Sequence, residues 1–331
     1  MTALGTGVSA GSARPAARRR PGRRLTFDRV TFFLVFLVVP VIFYAAFVLS
    51  PFAQAVWYSF TDWSGFSTTM NFVGGSNYGT LLHDAIFLKS VRNSVILGVV
   101  LPFVTILLSL VLATFVTVGG SSHGNIRGLR NSSFYRVVSF FPYVVPAIII
   151  GLIWQQIYDP SAGILNGVLT KLGFEQFDSF PWLGDERTAM VATMFAIVWG
   201  FVGFYMVLFV AAIKGIPAEL FEAARIDGAG RFRTATTVTI PMIRDNLQTA
   251  YIYMGILSLD SFVYMAAMNP NGGPNNATLV ISQELFETAF TKGKFGVACA
   301  MGVTLAVITL LFAGIVFLVN RLTGGREDVT E

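Results

Sequence analysis

Six long apolar runs alternate with short polar connections along this chain. They lie at roughly 30–49, 91–118, 137–158, 189–213, 247–268 and 297–320. A helix needs about twenty consecutive apolar residues to cross a bilayer. Backbone groups in lipid must be satisfied inside their own segment, so each run is expected to be a helix. The pattern predicts an all-α polytopic membrane protein with six transmembrane helices over residues 30–320. An Arg-rich tail at 1–29 precedes it, and a polar tail at 321–331 follows.

Composition agrees with this pattern. Of 331 residues, 54% are hydrophobic and only 12% charged, against about 25% charged in an ordinary soluble domain. Mean hydropathy is +0.66. The single cysteine, Cys299, excludes an internal disulfide and a thiolate metal cluster, and two histidines leave little for a haem or metal centre. The leader "SARPAARRRPGRR" has the composition of a disordered segment. No small-residue cleavage site follows the first run, which is therefore expected to stay as an uncleaved helix.

Orientation follows from the basic residues. With six spans, both termini share a side. That side collects the arginines from Arg14 to Arg29, then Arg127, Arg130 and Arg136, then Lys214, Arg225, Arg231, Arg233 and Arg244, and finally Arg321 and Arg326. The other side holds Lys89, Arg92, Lys171, Arg187, Lys292 and Lys294. The termini and the 214–246 connection are expected to be cytoplasmic. The net charge of +5 is then explained by arginines facing anionic lipid, with no call for nucleic acid.

The 214–246 connection reads as two short helices. Pro217 suits a first helical turn, Glu219 and Glu222 complement the dipole of an N-terminus, and Gly228 after Asp227 suits a left-handed C′ position. A second helix is expected from about Arg231 to Val238, stopped by Pro241. The first is too short to stand alone, so Leu220, Ala223, Ala224 and Ile216 should pack on something. That surface is either the protein's own or a partner's; the chemistry alone leaves both open.

The spacing Glu222-Ala223-Ala224, three residues, Gly228, nine residues, Val238, one residue, Ile240-Pro241 resembles the EAA loop of ABC-importer permeases. "YSFTDW", "NFVGGSNY", "DPSAGILN" and "GGPNNAT" resemble the sugar-type branch, the maltose- and glycerol-phosphate-like group, and within it the first, MalF-like subunit. The likeness covers most of the chain after residue 30. It implies a type I permease fold whose coupling helices dock in a cleft of a cytoplasmic ATPase dimer. Glu222 would meet a basic group there, Ala223 and Ala224 would permit close docking, Asp227 and Gly228 would form the turn, and Pro241 would close the loop. The resemblance also implies a second permease, an extracytoplasmic solute-binding protein, and a place in the cytoplasmic membrane of a prokaryote. Family members often carry an aromatic residue where this chain has Ala235, so the second helix is expected to pack differently.

The substrate would be a mono- or short oligosaccharide. Polar and aromatic groups within the spans mark candidates for its path: Asp260 with Tyr264 one turn later, Trp154 and Gln155 at the end of the third span, and Asn93 in the second. For Trp154 the interfacial anchor is the favoured role, since tryptophan is common at the membrane interface for anchoring alone. No Gly-x4-Gly-Lys-Ser/Thr phosphate loop occurs, "TKGKFG" at 291–296 being the nearest. The chain is therefore expected to be no enzyme and to hold no cofactor, with ATP bound by the partner. The rival readings are an ion-coupled secondary carrier and a permease for another solute such as glycerol phosphate.

Overall fold

The computed structural model describes residues 31–117 and 132–323. The Arg-rich leader, Arg127 and Arg130, and the end of the C-terminal tail lie outside them. Helix α1 (Thr31–Tyr58) is apolar on every side and contains two wide π segments, Leu34–Val38 and Ala45–Leu49; none of its residues is buried. Of the described residues, 31–53 belong to one compact unit and those from Gln54 to a second.

The second unit is built on α3 (Ala85–Thr117), α7 (Ala189–Lys214) and α10 (Arg244–Leu259). Their shared core contains Leu97, Leu101, Phe209, Ile213 and Met254, each 1% exposed or less. Hydrogen bonds cross between helices where a polar side chain finds a free carbonyl lone pair. Ser109 Oγ donates to Val202 O at 2.8 Å, and Tyr251 Oη donates to Val99 O at 3.3 Å. Helix α13 (Phe295–Thr323) ends against Arg244, whose guanidinium donates to Asn320 Oδ1 and to Asn320 O, both at 2.7 Å. A cation at a helix C-terminus meets the negative end of its dipole.

Two of the expected spans are not single rods. The third consists of α4 (Ser132–Val144) and α5 (Ala147–Ile157), bent by 98° at residues 145–146. Pro146 removes an N–H and disfavours helical geometry at Val145, which ends α4. The fifth consists of α10 and α11 (Phe262–Met268), bent by 47° at Asp260–Ser261. The remaining long helices run over the first, second, fourth and sixth apolar runs, starting up to several residues earlier or ending later. Among the described residues the one extended pairing is an isolated antiparallel bridge between Thr61 and Phe72.

One end of this unit carries the 214–243 connection; the other, the far end, is closed by ordered loops. Short helices α2 (Ser76–His83) and α6 (Ile164–Lys171) lie there with the 269–280 loop. That loop turns sharply through Asn271, Gly272, Gly273, Asn275 and Asn276, all at positive φ. Glycine and asparagine adopt that region at least cost, which accounts for "NGGPNN". Three side chains from elsewhere hold the loop. Asn93 Nδ2 donates to Asn276 O (3.2 Å) and Leu279 O (2.9 Å), Ser94 Oγ accepts from Ile281 N, and Lys89 Nζ donates to Asn275 O at 2.6 Å while lying 3.5 Å from Glu186. Asn93→Leu leaves Leu279 O without a donor and Asn276 O with only the long bond from Leu279 N at 3.4 Å. We expect amide exchange across 272–280 to accelerate by about tenfold or more, from a local loss of about 1–3 kcal/mol.

The loop continues into α12 (281–291), α-helical to Phe286 and π-helical over Glu287–Thr291. Here Glu284 is 3% exposed and accepts from Lys292 Nζ at 2.8 Å and Thr288 Oγ1 at 3.3 Å. Burial opposes the Lys292 ammonium, but the hydrogen bond and charge of Glu284, with Glu287 behind it, outweigh that and raise its pKa. A raised lysine pKa contributes stability that is complete below its unfolded value and is lost as pH rises through the folded one. Thermal stability should therefore fall above about pH 10.5 in the protein and much less in Lys292→Met. A melting-temperature series against pH checks it, and parallel curves for the two proteins would refute it.

Candidate functional site

Helix α8 (Ala218–Ile226) follows Pro217, which stands at its N-cap with φ −54° and ψ 134°. Its C-terminus closes with two bonds that satisfy otherwise orphaned carbonyls. Gly228 N donates to Arg225 O at 3.0 Å and Ala229 N to Ala224 O at 2.9 Å, with Gly228 at φ +72°. This is the Schellman arrangement, and it requires a left-handed residue at C′. Asp227 is the C-cap; its carboxylate hydrogen-bonds to no described residue.

The stripe by which α8 seats itself differs from the expected one. Phe221 (4% exposed) and Ala224, with Ile216 before the helix, are the buried groups, and Ile216 and Phe221 join the core that contains Ile213 and Ile243. Leu220 and Ala223 are exposed. The large phenyl of Phe221 outweighs the alanines in choosing the inner face. A second stripe of Glu219, Glu222, Ala223 and Ile226 faces outward, with Ile226 87% exposed and nearby Phe232 83%. Glu222 has no ion-pair partner among the described residues. The helix thus packs on its own protein and still offers a surface.

Pro241 does not stop the second helix. That helix, α9, runs over 231–242, α-helical at Arg231–Thr234, π-helical at Ala235–Thr239 and α-helical again at Ile240–Met242. Pro241 falls in the first turn of the last piece, where a missing N–H is tolerated. The break comes at Ile243, which is buried and is the N-cap of α10. Ala235 lines an apolar groove of about 360 Å³ with Leu107, Val111 and Phe115 of α3.

The expected path residues are not brought together as a set. Asp260 is exposed at the bend between α10 and α11, so it and Tyr264 do not lie along one helical face. Tyr264 is half-buried beside Phe201, ring centroids 6.4 Å apart. Trp154 sits inside an aromatic cluster, 5.2 Å from Tyr158, 5.2 Å from Phe195 and 5.6 Å from Trp199. Its neighbour Gln155 is half-buried. Asn93 is 7% exposed and donates to two loop carbonyls, so it is a strut for the 269–280 loop. Its role changes because both bonds go to backbone 183 and 186 residues away, which no local pattern reveals. Sequence reasoning also missed the Glu284–Lys292 pair; "TKGKFG" had suggested only a failed phosphate loop.

An α-helical membrane core with an outward-facing Glu-Ala-Ala helix has known counterparts. The family described as binding-protein-dependent transport system inner membrane component matches residues 116–324. The chain belongs to this family. It is 63% identical over 315 residues, 95% of its length and 89% of the relative's, to the diacetylchitobiose uptake system permease protein NgcF of Streptomyces coelicolor. It is 30% identical to the multiple sugar-binding transport system permease protein MsmF of Streptococcus mutans, over 82% of this chain and 89% of that one. Among solved structures, a bacterial alginate ABC transporter in complex with its pentasaccharide-bound periplasmic protein aligns with a TM-score of 0.75 at 20% identity. That alignment covers 90% of this chain and 97% of the other, and it shows a shared fold of the ABC-importer permease type.

Proposed function

We propose that this permease carries a short N-acetylated amino-sugar oligosaccharide of the diacetylchitobiose kind across the cytoplasmic membrane. The observation that supports this most is the 63% identity, over nearly the whole chain, to a diacetylchitobiose uptake permease. The sugar is handed over at the far end by a solute-binding protein, as the alginate transporter's complex illustrates for its own ligand. A second, similar permease completes the path.

The 214–243 end faces the cytoplasm with both termini. There Glu222, Ala223 and Ile226 seat in a cleft of an ATPase dimer, and ATP closure of that dimer moves α8. Phe221 and Ala224 pass the motion to the core, because their side chains belong to it. Asp260, exposed at a bend within the fifth apolar run, is the acceptor for sugar hydroxyls along the path. Chemistry at the phosphate belongs to the partner.

The test is to purify the protein from native membranes in mild detergent and identify its companions by mass. The purified assembly, with its binding protein, is then assayed for ATP-dependent uptake of labelled diacetylchitobiose in liposomes. A P-loop ATPase, a second permease and ATP-dependent uptake are expected. Uptake by this chain alone, driven by an ion gradient, would overturn the reading.

A further inference from the structure

Six aromatic rings form a continuous run at the far end. Phe262 of α11 lies 5.3 Å from Phe286 of α12, Phe286 lies 4.9 Å from Phe290, and Phe290 lies 5.4 Å from Phe295 at the start of α13. Phe295 then meets Phe66 at 5.6 Å and Trp63 at 5.7 Å. Four separate segments contribute. The ring faces are open: Phe286 is 47% exposed, Phe290 62% and Phe66 81%.

Helix α12 is buried on most sides, through Ile281, Gln283, Glu284, Thr288 and Ala289. Phe286 and Phe290, one turn apart, form its open stripe, with the half-buried Glu287 and the exposed Thr291 beside them. Lys292 follows, 3.5 Å from Glu287. Lipid tails do not suit such a stripe, since a carboxylate held in hydrocarbon is expensive. Open phenyl faces interleaved with a carboxylate, a hydroxyl and an ammonium match a sugar instead. Its C–H face stacks on a ring, and its rim hydrogen-bonds to the polar groups. The inner end of the run is Phe262, two residues beyond Asp260 at the bend of the fifth span.

We infer that these rings are a stacking track along which the oligosaccharide passes between the far face and the Asp260 bend. The inference rests on the carbohydrate-import reading. Neighbouring rings stand about as far apart as successive pyranose units, so a disaccharide touches a new ring before it leaves the last. Translocation then needs no deep site, only a series of shallow ones. The acetamido methyl groups of an N-acetylated sugar add apolar surface that suits phenyl more than a purely hydroxylated sugar does.

The experiment uses the complete transporter in liposomes, with its binding protein saturating and labelled diacetylchitobiose as the probe. Phe286→Ala and Phe290→Ala should each lower the maximal uptake rate by about two- to tenfold, the range set by one aromatic contact. Phe290→Tyr, which keeps the ring, should retain uptake, and Phe290→Leu, which keeps bulk alone, should not. Uptake unchanged in both alanine variants overturns the track. So does full recovery in Phe290→Leu, or loss of the second permease from either alanine variant's purified complex, which would make the rings a subunit contact. If the unaltered transporter, correctly assembled, moves no sugar, the carbohydrate reading fails and the track falls with it.

Discussion

Gly203→Ala should cost the protein at least about 3 kcal/mol, at or beyond the upper end for overpacking. A Cβ at Gly203 of α7 would stand 1.6 Å from Ser139 O, 2.2 Å from Ser139 C and 2.8 Å from Phe140 N. These are backbone atoms of α4, so no rotamer change relieves the clash; the two helices must separate. Small residues permit this approach between membrane helices, where van der Waals packing replaces the hydrophobic drive. Gly200, one turn earlier, is the control. Its added Cβ would meet only the Ile150 Cδ1 and Tyr264 Oη ends at 3.4 and 3.5 Å, so Gly200→Ala should melt within a few degrees of the parent. Tryptophan-fluorescence melts of the detergent-purified proteins decide it. Equal melting of Gly203→Ala and the parent would mean that α4 and α7 do not lie this close.

The second large effect belongs to Glu222. It is exposed, has no ion partner among the described residues, and flanks the small, open Ala223 on a helix fastened by Phe221. Removing it should leave folding nearly untouched, because surface changes away from special features stay within about 0.5 kcal/mol. On the proposed docking to an ATPase, the carboxylate would be desolvated against a fixed cation of the partner. Truncating one member of such a pair costs about 2–5 kcal/mol, so ATP-dependent uptake in Glu222→Ala should fall by about thirtyfold or more. The melting temperature should hold. A variant that melts early, or one that transports normally, would show that α8 serves only its own fold.

The membrane-embedded architecture was legible in the chain because lipid removes alternatives: an apolar run that long has few options but helix. The turn at Gly228 was legible for a similar reason, since a left-handed C′ position favours glycine strongly. What escaped notice depended on distant partners. Prolines at 142 and 146 were visible, yet the surrounding apolar residues hid a 98° bend that needs α7 and α11 to hold it. Which face of α8 turns inward was not legible, because the burial of Phe221 depends on a core assembled from distant segments. Asn93 stood among the path candidates, and its bonds to carbonyls of a loop far along the chain were not legible locally. The ring run draws on four segments, none of which supplies more than two of its rings, so no local pattern reveals it.

The bend at Pro146 carries a consequence for how the protein is made. Neither α4 nor α5 alone is long enough to cross a bilayer, yet together they form one insertable apolar stretch. The surfaces that hold them apart, Gly203 against α4 and Ala267 against Gly151 of α5, belong to helices that leave the ribosome later. The stretch therefore enters the membrane before its bent shape has any support. Pro146 breaks the helix from the start, but the 98° angle is expected to be fixed only once α11 is made. A nascent chain halted before Phe262 should therefore hold a third span broken at Pro146 with no fixed angle.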